Sequence, residues 1–68
     1  MAEDTYSLTE TWQAAIKAEQ DAYDLYTRMS AAAHDASTAQ LLRSLAEEEA
    51  GHRQRLEDEY RRIFEADM

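Results

Sequence analysis

The predicted fold follows from residues 31–42, which read AAAHDASTAQLL. Ser37 and Gln40 are spaced as in a capping box, where a Ser or Thr and a Glu or Gln three residues later close the start of a helix. The segment therefore predicts a turn at residues 34–36, with Asp35 or Ser37 as the N-cap of a helix that follows. A connection this short makes consecutive helices antiparallel neighbours, which is an αα-hairpin.

An earlier capping box, Ser7 with Glu10, predicts the start of a first helix. Apolar residues then recur at steps of three and four, which makes one apolar stripe along an α-helix. That stripe is formed by Leu8, Trp12, Ala15, Ile16, Ala22, Tyr23, Tyr26, Met29 and Ala33. A second stripe is formed by Leu41, Leu42, Leu45, Leu56, Tyr60, Ile63 and Phe64. We predict an all-α fold with helices over residues 8–33 and 37–65, the whole chain, residues 1–68, being one helical hairpin.

Each predicted helix has a single apolar stripe, and two helices alone cannot cover both stripes. The opposite face of the first helix is expected to face solvent and carries polar residues: Gln13, Lys17, Gln20, Asp24 and Arg28. Two hairpins placed face to face would cover both stripes and form a four-helix bundle. We therefore expect a homodimer or a larger homo-oligomer of hairpins.

The composition argues against several functional classes. The chain has 68 residues and no cysteine, which excludes disulfides and thiolate metal sites. Its formal net charge of −8 argues against binding to nucleic acid or to anionic membrane surfaces. No apolar run approaches the roughly 20 residues of a membrane span, and residues 1–10 lack the features of a signal peptide. These observations predict a cytoplasmic helical protein.

Three polar residues interrupt the apolar stripes. Glu19 occupies a gap in the first stripe, and Glu49 and His52, three residues apart and on one helix face, occupy a gap in the second. If the hairpin turns near residue 35, Glu19 lies level with about residue 51, between the other two. Burying an unpaired carboxylate costs roughly several kcal/mol, so three such interruptions in one layer predict a metal site.

Two copies related by a twofold axis would bring four glutamates and two histidines into this layer. That is the ligand set of di-iron centres in helical bundles, where carboxylates bridge two ions and imidazole completes each ion's ligands. We predict that Glu19, Glu49 and His52 are the metal ligands and the catalytic residues, holding two iron ions per dimer. Each residue also has a simpler interpretation, because a glutamate at a stripe edge is often solvated and a single histidine is often a hydrogen-bonded core residue.

Two segments resemble rubrerythrin-like members of the ferritin superfamily. They are residues 18–26, AEQDAYDLY, and residues 45–52, LAEEEAGH, the latter containing the Glu-Glu-x-x-His motif of the second helix of that family. In architecture the chain is most similar to the encapsulated ferritins, two-helix chains whose ferroxidase centre forms between subunits. The resemblance covers about residues 18–60.

This resemblance implies that Glu19, Glu49 and His52 are iron ligands and that Tyr26 lies near the centre. It also implies ring-shaped assemblies of dimers and an encapsulin shell protein as a partner, which places the chain in a cytoplasmic nanocompartment. The sequence departs from encapsulated ferritins in two ways: Ala18 stands where they have an acidic residue before the first ligand, and no shell-targeting tail precedes the end at Met68. Asp21 is the residue that could replace the acidic one.

The sequence leaves three functions open. The first is a ferroxidase that oxidises Fe(II) for iron storage or detoxification, with O₂ or peroxide as the oxidant. The second is a peroxide-reducing di-iron protein of the rubrerythrin type. The third is a non-catalytic helical oligomerisation module in which the polar core residues only fix the register of the helices.

Overall fold

The computed structural model describes residues 7–65, which form two α-helices: α1, Leu8–Ala32, and α2, Ala36–Glu65. Trp12 of α1 contacts Leu56 of α2, and Gln20 further along α1 contacts Arg53, so the helices run antiparallel. The all-α hairpin predicted from the sequence is confirmed. The two ends of the predicted 1–68 domain, residues 1–6 and 66–68, lie outside the described residues.

The start of α1 is fixed by the predicted capping box. The Ser7 hydroxyl accepts a hydrogen bond from the Glu10 backbone N–H at 3.1 Å, and the Glu10 carboxylate accepts one from the Ser7 N–H at 3.2 Å. These two bonds satisfy backbone donors that the first turn of a helix leaves without intrahelical partners. The helix ends at Ala32, one residue before the predicted end, because Ala33 takes an extended backbone conformation.

The start of α2 is fixed by Asp35 and not by Ser37. Asp35 accepts hydrogen bonds from the Thr38 backbone N–H at 2.9 Å and from the Thr38 hydroxyl at 2.8 Å. These bonds lower the pKa of Asp35, the backbone bond contributing most. The second capping box, Ser37 with Gln40, is therefore wrong, because aspartate is as strong an N-cap as serine and stands two residues earlier. Both Ser37 and Gln40 lie inside the helix.

The helices pack most closely towards their two ends. Near the turn, Leu42 and Ala46 are buried, and no other described residue is buried to the same degree. At the opposite end, the Trp12 indole N–H donates to the Leu56 carbonyl at 2.9 Å, and the Trp12 ring meets Phe64 edge-on at 6.4 Å. Between these two apolar layers lies the layer of Glu19, Glu49 and His52.

The hairpin measures 48 × 28 × 12 Å along its principal axes. The smallest dimension is about one helix diameter, roughly 10–12 Å, so neither broad face is covered by the chain itself. We name the two broad faces by the residues they carry. By helical spacing, the open face carries Glu19, Ala22, Tyr26 and Met29 of α1 with Leu41, Leu45, Glu49 and His52 of α2, and the back face carries Gln20, Asp24 and Thr27 of α1 with Arg43, Arg53 and Glu57 of α2.

Large apolar side chains remain uncovered on the open face. Met29 is 44% exposed and Leu41 is 59% exposed, although both belong to the predicted apolar stripes. A second hairpin would cover them, and that dimer stays a prediction. Within residues 7–65, no helix combines the length and the apolar character needed to cross a membrane.

Candidate metal centre

The three interrupting residues lie in one layer of the hairpin. Glu19 stands near the middle of α1, while Glu49 and His52 stand one turn apart near the middle of α2. The antiparallel packing of two straight helices about a short turn brings these positions to the same depth. One ligand atom from each of the three residues can be chosen so that all lie within 4.8 Å of one another.

The distances within this cluster suit a shared metal ion. His52 Nδ1 lies 3.4 Å from Glu49 Oε1 and 3.6 Å from Glu19 Oε1. Two ligand atoms that each lie about 2.1 Å from one ion, at angles near tetrahedral or octahedral values, are roughly 3.0–3.4 Å apart. The observed distances therefore exceed those of a closed site by only a few tenths of an ångström, which side-chain rotation can supply.

The cluster is partly withdrawn from solvent. The Glu19 side chain is 27% exposed and that of Glu49 is 21% exposed, whereas His52 is 44% exposed at the open face. Partial burial makes two neighbouring carboxylates costly unless a proton or a cation lies between them. The cluster is thus enclosed on the hairpin side and accessible from the open face.

The two carboxylates perturb each other. The pKa of Glu19 is raised, first because its carboxyl hydrogen-bonds to Glu49, then because of partial burial, and then because of repulsion from the Glu49 charge. His52 acts in the opposite sense and weakly favours the ionised form of Glu19. Protonation of Glu19 would relieve this repulsion, and so would a metal cation bound between the two carboxylates.

The donor set fits iron. Two carboxylates and one imidazole are three hard or borderline donors, and such sets with open positions bind non-haem Fe(II). The same types of donor bind other divalent ions, so the three residues by themselves form a group that could hold a metal ion, and they do not identify the metal.

The protein family to which the chain belongs narrows the choice of metal. The sequence model of the Rubrerythrin family matches residues 10–68, which contain all three residues of the cluster. The chain belongs to the rubrerythrin family. No curated protein and no solved structure matches it. The predicted family is confirmed, while the narrower likeness to encapsulated ferritins stays a prediction.

Rubrerythrin-family domains are ferritin-like, bind iron and are typically di-iron redox enzymes. In this member of the family, the residues able to hold the metal are Glu19, Glu49 and His52. Their assignment as ligands and catalytic residues stays a prediction, as does a content of two ions per dimer. Tyr26, which the resemblance places near the centre, lies half-buried on the open face two turns after Glu19.

Residues next to the cluster form a contact that the sequence analysis missed. Gln20 was expected to face solvent with the other polar residues of the first helix, but its side-chain carbonyl accepts a hydrogen bond from Arg53 of α2. The expectation is wrong because a glutamine beside the contact surface reaches the neighbouring helix when that helix offers a long side chain. The signal was present in the sequence: Gln20 follows Glu19, and Arg53 follows His52.

The remaining candidate residues lie away from the cluster. Asp21, the expected substitute for the acidic residue missing at Ala18, is exposed and pairs with Lys17 at 2.7 Å. His34 is exposed in the turn. A shallow groove of about 340 Å³ lies on the back face nearer the turn, between Thr27 and Arg43, and it includes none of the three cluster residues.

Proposed function

We propose that this rubrerythrin-family chain is a ferroxidase whose di-iron centre is completed by a second copy of the chain. The observation that carries the proposal is the cluster of Glu19, Glu49 and His52, which opens onto an apolar face that the hairpin leaves uncovered. One chain offers two carboxylates and one imidazole. A second hairpin, related by a twofold axis, would double this set to the four glutamates and two histidines of bundle di-iron centres.

The uncovered apolar residues support the same arrangement. Met29 and Leu41 lie on the same face as the cluster and are largely exposed in the single hairpin. Covering apolar surface stabilises an assembly by about 25 cal/mol per Å², and obligate homodimers use such surfaces. One docking event would thus bury the apolar residues and close the metal site together.

In this proposal Fe(II) is the substrate. Two Fe(II) ions each give up one electron, and the two electrons pass either to O₂, which takes up two protons to become H₂O₂, or to H₂O₂, which takes up two protons to become two water molecules. The glutamates neutralise the charge of the ions and favour Fe(III), because carboxylate oxygen is a hard donor. The His52 imidazole supplies a neutral donor and so limits the negative charge of the site. Three donors from each chain leave positions open for the oxidant.

The proposed role is iron storage or detoxification, and it requires a larger assembly. A hairpin of 68 residues has no interior in which a mineral could form. The storage volume must therefore belong to a ring of dimers or to a separate shell. Encapsulin is the shell protein implied by the resemblance to encapsulated ferritins, and a cytoplasmic nanocompartment is the location that goes with it.

A second candidate is favoured by the family match. Rubrerythrin-family domains are typically di-iron redox enzymes, and a peroxide-reducing member would use the same ligands with H₂O₂ as the preferred oxidant. The two candidates differ in the oxidant and not in the site. The initial rates of Fe(II) oxidation at equal concentrations of O₂ and H₂O₂ decide between them.

The test of the proposed function is an anaerobic Fe(II) titration in which the mass of the assembly is determined at each point. We expect two irons per dimer, saturable binding, and oxidation that is much faster than that of free Fe(II) when oxidant is admitted. A folded monomer at micromolar concentration, with and without Fe(II), would contradict the shared site. A stable oligomer that binds no metal would instead indicate the non-catalytic oligomerisation module.

A further inference from the structure

A series of polar contacts connects α1 and α2 next to the cluster of Glu19, Glu49 and His52. The Gln20 amide N–H donates to Asp24 at 2.9 Å, and its carbonyl accepts from the Arg53 guanidinium. Arg53 Nε is buried without a hydrogen bond and lies 3.8 Å from a Glu57 carboxylate oxygen. Because the amide nitrogen of Gln20 donates to Asp24, the carbonyl oxygen is the end of the amide that is oriented towards Arg53 and α2.

This contact joins the neighbours of two predicted ligands. Gln20 follows Glu19 in α1, and Arg53 follows His52 in α2. Within a helix, the positions of consecutive residues are rigidly related, so a bond between Gln20 and Arg53 fixes the depth of Glu19 relative to His52. The two residues with a buried side chain, Leu42 and Ala46, lie nearer the turn and leave the middle of the hairpin to be held by other contacts.

We propose that Gln20 and Arg53 are positioning residues that set the register of Glu19 against Glu49 and His52. The inference rests on the proposed function, since it concerns the metal site of that function. A slip of one residue along a helix is about 1.5 Å, whereas metal–ligand distances tolerate only about 0.2 Å. We call the contact between Gln20 and Arg53 the clamp. Its loss is therefore expected to lower the affinity for metal more than it lowers the stability of the fold.

The contact joins a neutral amide to a guanidinium, so a geometric role can be told apart from an electrostatic role of Arg53. A geometric role predicts that removing the neutral partner, Gln20, weakens metal binding as much as removing the charged one. An electrostatic role predicts an effect of Arg53 alone.

The experiment is a Co(II) titration of the apo protein, followed by the visible absorption of the bound ion, with the assembly mass and helicity of every variant checked. The variants are Gln20→Leu, Arg53→Met, the double variant and Arg53→Lys, which keeps a donor for the Gln20 carbonyl. Arg55→Met is the matched control, because it removes the same charge from an exposed side chain on the same helix. Each variant is titrated well below its melting temperature.

We expect Gln20→Leu and Arg53→Met each to weaken Co(II) binding about tenfold, as is typical for residues that orient ligands. The double variant should be no weaker than either single one, and Arg53→Lys and Arg55→Met should bind like the wild type. Wild-type affinity in Gln20→Leu overturns the clamp while the proposed function stands, and so does a loss confined to the Arg53 variants. Absence of binding by the wild type overturns the proposed function, and the clamp with it.

Should Gln20→Leu fail to fold, Gln20→Asn takes its place, since a shorter amide cannot span the same distance to Arg53 and adds no apolar surface. A tenfold loss of Co(II) affinity with altered absorption bands supports the clamp. An unchanged spectrum with unchanged affinity overturns it.

Discussion

Polar side chains make different contacts on the open face and on the back face of the hairpin. On the back face, Gln20, Asp24 and Arg53 form one chain of contacts within a single molecule. On the open face, Glu19 and Glu49 have each other and His52 as neighbours, and two of these three groups carry the same charge when ionised. Apolar residues of the open face, such as Leu41, are also exposed to solvent.

This difference distinguishes polar groups that stabilise the fold from polar groups that are candidates for binding a metal. A polar group that finds its partners within the fold has its cost of burial offset, and its presence is explained by stability. Glu19, whose pKa is raised beside Glu49, destabilises the fold when it is ionised unless a cation is added. The polar contacts of the back face thus form within one chain, whereas the proposed function has the open face completed by metal and by a second copy.

The largest effect that this comparison predicts is on iron oxidation. Glu49→Ala removes a carboxylate of the open face, and we expect the rate of Fe(II) oxidation to fall on the order of 100-fold or more, because ligand loss costs at least as much as the loss of a residue that orients ligands. The control is Glu48→Ala, the preceding glutamate, which is exposed. Stopped-flow absorbance measures both rates, and circular dichroism checks the helicity. Equal rates for the two variants would remove Glu49 from the site.

The second effect concerns assembly. Met29→Glu places a charge on the open face, and Thr27→Glu places the same charge two residues away on the back face, both at exposed positions. We expect the first to weaken dimerisation by about a hundredfold or more, since desolvating an unpaired charge costs roughly several kcal/mol. The second should leave it unchanged. Sedimentation equilibrium compares them, and a dimer that is sensitive only to Thr27→Glu would move the interface to the back face.

Rigid geometry made most of the fold and the cluster predictable from the sequence. The depth of Glu19 opposite Glu49 and His52 follows from a short turn and a constant rise per residue, and no side-chain packing is needed to calculate it. The start of α2 was ambiguous because Asp35 and Ser37 are both good N-caps, and hydrogen bonding decided for Asp35.

The parts that sequence reasoning missed depend on long side chains and on other molecules. The contact between Gln20 and Arg53 was missed because helical periodicity places backbone positions and does not show where a flexible guanidinium reaches. The proposed second copy would be a property of the assembly, and among the described residues the uncovered apolar side chains, such as Leu41, support it.

The third effect is on stability as a function of pH. The raised pKa of Glu19 means that the folded apo protein binds more protons than the unfolded chain near that pKa. This contribution to stability is fully present below the ordinary carboxyl pKa of 4.5 and is lost as the pH rises through the raised value. Glu19→Gln should therefore flatten the pH dependence of the apo melting temperature, whereas Glu48→Gln should not. An unchanged profile in Glu19→Gln would contradict a raised pKa of Glu19 in the folded protein.

A bound divalent metal should reverse the loss of stability at higher pH. Zn(II) and Ca(II) are divalent and are not oxidised. Either ion would compensate the negative charge of the carboxylates and would bind the folded state only. We expect the metal-induced rise in melting temperature to be larger at pH 8 than at pH 5, where protons compete for the ligands. The rise should disappear in Glu19→Ala/Glu49→Ala. Absence of any rise at pH 8 in the wild type would contradict a metal site at these residues.

The smallest effect tests how far the open face extends. Gly51 lies inside α2 between Glu49 and His52, and a Cβ built on it meets nothing within 4 Å in the hairpin. Glycine within a helix costs about 1 kcal/mol relative to alanine, so Gly51→Ala should stabilise the chain by about that amount if solvent covers the position in the assembly as well. The reverse substitution at the preceding residue, Ala50→Gly, should cost about the same.

The measurement is the thermal unfolding of the apo protein at several protein concentrations, because the melting temperature of a dimer depends on concentration. A gain of 1 kcal/mol in a chain of this size corresponds to a rise of roughly 4–8 °C. If Gly51→Ala lowers the melting temperature and steepens its dependence on concentration, the second copy approaches the backbone at Gly51. The open face then includes this side of α2, and glycine is present because a methyl group there would hold the two hairpins apart.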